Sequence, residues 1–98
     1  MNVHAYPVLR QFFGAYLNAE WPEEYGSPIA AAAAFAAETP APRRVAAVAE
    51  IDALVAAHHD PASLATHIEA LGCDVALDPA VDDPVAFLRT IRATLAPG

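Results

Sequence analysis

The sequence predicts an all-α fold, a single compact domain of about five short helices, and three observations carry that prediction. Proline behind a residue whose side-chain oxygen can cap a helix marks helix starts at Ser27-Pro28, Thr39-Pro40, Asp60-Pro61 and Asp83-Pro84. Behind those starts the apolar residues recur every three or four positions, the spacing of one buried helical face. Strand-like sequence is confined to Asp74-Val75-Ala76-Leu77, too short and too isolated for a sheet, which reads as an extended connector.

Taken in order, Tyr6-Pro7 opens the first helix, although Tyr caps poorly, and Leu9, Phe12, Phe13, Tyr16 and Leu17 form its stripe. The second helix, Pro28 to Glu38, has strong alanine propensity but only Ile29 and Phe35 as large apolar residues, so it must pack closely against a neighbour or fray. The third starts at Thr39-Pro40 and buries Ala47, Val48, Ile51, Leu54 and Val55, leaving Arg43, Arg44, Glu50 and Asp52 for its wet side. Its end carries His58 and His59, where a cation favours the helix dipole. Leu64, Ile68 and Leu71 mark the fourth helix, which stops at Gly72. Pro84, Leu88, Ile91 and Leu95, joined by Phe87, mark the last. The longest irregular stretches, Glu20 to Tyr25 and Asp74 to Asp83, are both acidic. No internal repeat divides the chain, and residues 1–98 read as one domain.

Of the 55 apolar residues 25 are alanine, so 30 larger side chains must build the core of this 98-residue chain. Twelve acidic and five basic residues give a formal net charge of -7, and there is no lysine. Such a chain is poorly suited to binding nucleic acid directly, which requires clustered Lys and Arg against phosphates; a basic macromolecule suits it better. Cys73 stands alone, so no internal disulfide is available and a reducing compartment, the cytoplasm, is the simple expectation. The N-terminal Met-Asn-Val-His-Ala-Tyr-Pro lacks the pattern of a secretory signal. The longest uncharged run, Tyr25 to Ala37, has 13 residues, below the roughly 18 to 20 that cross a bilayer.

Catalytic and metal chemistry find little support. His58 and His59 would point about 100° apart on a helix, and His67 has no metal-ligand spacing around it. A nucleophilic Cys73 would need a base that His67, across a helix end, is not specifically placed to be; a packed small hydrophobe is the plainer role. The pairs Glu23-Glu24 and Asp82-Asp83 lack any sign of a pocket that would separate their pKa values. Nucleotide-binding and hydrolase motifs are absent. The expectation is a protein that is not an enzyme, with no metal and no cofactor. Trp21 and Tyr25, which flank Pro22-Glu23-Glu24, are read as a lid on the core in preference to an exposed anchor.

The segment Tyr6-Pro7-Val8-Leu9-Arg10-Gln11-Phe12-Phe13-Gly14-Ala15-Tyr16, then Glu20-Trp21, Tyr25-Gly26-Ser27-Pro28, Leu71-Gly72-Cys73-Asp74 and Phe87-Leu88, resembles the contact-dependent growth inhibition (CDI) immunity protein family, the small all-helical CdiI type. The resemblance runs from Tyr6 to about Leu95. It departs at Asn18-Ala19-Glu20-Trp21, where the family's usual His-Gln-Asp-Trp keeps its acid but loses its His, and in the alanine-rich second helix.

The resemblance implies a cytosolic protein that neutralises the C-terminal toxin domain of a cognate delivered toxin by occluding it. Many such toxins are nucleases, whose basic phosphate-holding surfaces an acidic inhibitor can meet with a steered on-rate. The residues expected at that interface are Glu20, Trp21, Glu23, Glu24 and Tyr25 in one acidic loop, and Asp74, Asp78, Asp82 and Asp83 in the other. They form one patch only if both loops lie at the same end of the bundle. A helical adaptor for some other protein is the competing reading, and an enzyme using Cys73 or a carboxylate pair stands third.

Overall fold

Among the described residues, six helices follow one another and no strand forms: α1 Pro7–Tyr16, α2 Trp21–Glu24, α3 Pro28–Glu38, α4 Ala41–Ala57, α5 Pro61–Ala70 and α6 Pro84–Leu95. The computed structural model describes residues 5–58, 60–75, 77 and 82–96. The fold class is therefore the expected one. The extra element is α2, a single turn inside the stretch predicted to be irregular.

Three helices start as the local sequence dictates. Ser27 Oγ accepts from the Ala30 N–H at 3.1 Å, Asp60 Oδ2 from Ser63 at 3.0 Å, and Asp83 Oδ1 from Val85 at 2.9 Å and Ala86 at 3.3 Å. Each satisfies donors that the first turn leaves without a helical partner. Thr39 does not cap α4. Pro40 takes the cap position, one residue later than predicted, with no side-chain cap. That register puts Pro42 in the first turn, where a missing N–H costs nothing.

The start of α1 corrects the sequence reading more deeply. Tyr6 offers no capping oxygen, and Glu50, expected on the wet side of α4, supplies one from a distant part of the chain. Its carboxylate accepts the Leu9 N–H at 2.9 Å and the Val8 N–H at 3.2 Å, with Glu50 half-buried. An anion at the positive end of a helix, bonded to two orphan donors, ties α1 to α4.

Phe12, Phe13, Phe35, Leu9, Ile51, Leu54, Leu64, Ile68, Leu88 and Ile91 are essentially removed from solvent, each burial worth roughly 1.5–3 kcal/mol. The alanine-rich α3 packs chiefly on α6, with Ala31 and Ala32 fully buried and Phe35 reaching Phe12 at a ring separation of 4.9 Å. Small side chains let those backbones approach, which answers the question whether α3 packs or frays. Ile29, one of the two large apolar residues of α3, is 40% exposed. Asp52 remains on the surface and receives both Nε and a terminal nitrogen of Arg92, at 2.8 and 3.1 Å, across α4 and α6. No helix of the described residues is long and apolar enough to cross a membrane.

Gly72 ends α5 as predicted. Its φ of +105° permits the Gly72 N–H to reach Glu69 O at 2.9 Å and the Cys73 N–H to reach Ile68 O at 3.4 Å, the paired bonds that close a helix C-terminus. A Cβ at Gly72 would lie 3.6 Å from the Gly14 backbone of α1, so the two glycines mark a close approach of helix to chain.

Candidate protein-binding surface

The surface grows from the end of α1. After Leu17 the chain turns on Asn18, whose Oδ1 accepts the Glu20 N–H at 3.0 Å, and Trp21 then opens α2 with its N–H on Asn18 O. Glu20 sits at the cap of α2 and Glu23 and Glu24 in its only turn, all three exposed. Acids in a first turn suit the positive end of a helix, so the local electrostatics tolerate this crowding.

Asp74 arrives from the end of α5. Its N–H donates to Leu17 O at 2.8 Å, and its carbonyl lies 3.4 Å from the Trp21 indole nitrogen. The beginning of the second acidic loop thus meets the first, while the Asp74 side chain stays on the surface. Sequence alone could not bring residues 21 and 74 together. Of the other acids expected here, Asp83 has its carboxylate engaged in capping α6, Asp82 is exposed beside it, and Asp78 lies outside the described residues.

Trp21 and Tyr25 are half-buried and pack against the core, as the lid reading expected. Tyr25 stacks on Tyr16 with ring centroids 5.9 Å apart, and Tyr16 in turn meets Phe35 edge-on at 5.3 Å. The Tyr16 hydroxyl donates to Glu38 Oε1 at 2.9 Å. Partial burial raises the Tyr16 phenol above its ordinary pKa, and the hydrogen bond to Glu38 adds to the shift. Tyr25 is raised as well, first by partial burial and then by the Glu24 and Glu38 carboxylates. Both rings therefore remain neutral donors at the edge of an anionic field. Glu38 is the surface residue the sequence reading missed, because its approach to Tyr16 depends on how α3 crosses α1. Its one signal was being the only charge in α3.

Several residues quoted for the family resemblance are core, contact or cap positions. Leu9, Phe12 and Cys73 are buried, Gly14 faces Gly72, and Ser27 caps α3. Residues 5–95 match the family described as CdiI immunity protein. The chain belongs to the CdiI immunity protein family. Among curated proteins and solved structures, no significant match is found. Membership makes this in general terms a toxin-neutralising immunity protein, with a toxin protein as its partner.

In this CdiI-family chain the lone cysteine is a core side chain. Cys73 is buried, and burial pushes its thiol up to about 11, leaving little thiolate at neutral pH. Among the described residues, no group of three or more His, Cys, Asp or Glu could hold a metal ion. His58 closes α4 as its C-terminal cap residue; His59 lies outside the described residues.

Proposed function

We propose that this chain binds the C-terminal domain of its cognate toxin through the surface formed by Glu20, Trp21, Glu23, Glu24, Tyr25 and Asp74, extended by Glu38. It blocks the toxin's substrate-binding face in the cytoplasm and performs no chemistry itself. The observation that supports this reading is the bond from the Trp21 indole to the Asp74 carbonyl, which brings the first residue of the second acidic segment to the first segment. Carboxylates set around half-buried aromatic rings suit a basic partner. Opposite charge accelerates encounter, and an aromatic anchor limits dissociation. A toxin that must hold phosphates, such as a nuclease, presents that basic face.

The test is co-expression of the toxin's C-terminal domain with and without this protein, scored by cell survival and by co-purification. Rescue with a stable complex is the expected result. If an active toxin domain kills equally in both cultures and no complex forms, that pairing is rejected.

A further inference from the structure

We propose that His58 and His67 form a proton-operated latch, in which proton uptake by His67 on acidification loosens α5 from the start of α1 and the end of α4. His67 is the one buried polar residue among the described residues, 3% exposed, and neither ring nitrogen has a hydrogen-bond partner. Its ring lies between two others. The Tyr6 ring meets it edge-on at 5.6 Å, and the His58 ring lies 4.2 Å away. His58 Nδ1 is 3.2 Å from Ser63 Oγ on α5, so the same contact pins the end of α4 to the start of α5.

A neutral imidazole can occupy this site, at the cost of two unpaired nitrogens. An imidazolium cannot remain there without an acceptor or water, because a buried unpaired charge is far more costly than a buried neutral group. Neither carboxylate at the ends of α5 relieves it: Asp60 is exposed and caps Ser63, and Glu69 is exposed. Burial holds His67 below the ordinary imidazole pKa, and the neighbouring His58 acts in the same direction. In the unfolded chain the group returns to about 6.5. The unfolded state then takes up the proton first, so stability is full above about pH 6.5 and falls as the pH drops toward the depressed folded value. The end of α5 leads directly to Asp74, so an opened latch also frees the strap between Leu17 and Trp21.

The experiment is urea unfolding of the full chain, followed by the fluorescence of its single tryptophan, Trp21, at about pH 7.5 and about pH 5.5. Wild type is compared with His67→Leu, which removes the titrating ring and sacrifices no hydrogen bond. Between the two pH values the unfolding equilibrium constant of the wild type rises up to about tenfold more than that of the variant. Equal pH dependence in both proteins overturns the latch. A proton NMR titration of the wild-type His67 ring reads the same property without a substitution. A midpoint below about 6.5 supports the latch, and one at or above that value overturns it.

Discussion

At the N-terminal end of α1 a carboxylate is drawn into the fold, with Glu50 half-buried and bonded to the Val8 and Leu9 N–H groups. At the other end Glu20, Glu23 and Glu24 stay exposed around Trp21, with none of them capping a neighbouring helix. The contrast separates two uses of negative charge in one acidic chain. Where a helix start lacks its own cap, an acid from elsewhere completes the backbone. Where α2 is too short to bury a face, acids remain available to solvent and to a partner. Stability and recognition are thus assigned to different carboxylates, and substitution can pull them apart.

The largest effect is expected at Glu50. Replacing it by alanine leaves two N–H groups at the start of α1 without acceptors, one of them on the fully buried Leu9, and costs about 2 kcal/mol in urea unfolding. Glu50→Gln, which keeps one oxygen acceptor, should lose less. If Glu50→Ala unfolds at the wild-type urea concentration, the carboxylate is not a cap and the contrast between the two ends of α1 fails.

Asp83 tests whether an acid of the second irregular segment belongs with the structural group. Its carboxylate holds the Val85 and Ala86 N–H groups, so Asp83→Ala is expected to cost about 1 kcal/mol in the same measurement. The affinity of the folded variant for the toxin domain should stay at the wild-type value. A loss of affinity with unchanged stability would move Asp83 to the recognition group.

How much of this was legible in the sequence follows from the range of each interaction. Ser27, Asp60 and Asp83 could be read as caps because such a bond spans two or three residues and the following proline fixes the register. Gly72 was legible for the same reason, since the bonds it permits close within one turn. Glu50 was not legible, because it reaches across 41 and 42 residues, and on α4 alone it falls among the residues of the wet side. His67 escaped for a related reason: its neighbours on α5 show a helical stripe of Leu64, Ile68 and Leu71, but only packing against Tyr6 and His58 buries the ring. Within the candidate site the acidic segments were legible from composition. That Asp74 reaches Trp21, and that Glu38 joins Tyr16, depended on the crossing of helices far apart in sequence.

The smallest effect on stability, and the sharpest test of the proposed surface, belongs to the double charge reversal Glu23→Lys with Glu24→Lys. Both side chains are exposed, so each substitution should alter unfolding by no more than about 0.5 kcal/mol. Their favourable interaction with the α2 dipole is minor in a helix of four residues. Toward a basic toxin domain, however, the reversal replaces attraction by repulsion over part of the approach surface. Association at low salt should slow by about tenfold or more. Raising the ionic strength should narrow the gap between variant and wild type, because exposed charges are screened beyond about 8–10 Å at physiological salt. A stable variant that associates at the wild-type rate at every salt concentration would exclude these acids from steering. A rate difference insensitive to salt would indicate that the lysines had disturbed a packed contact around Trp21, with electrostatic steering playing no part.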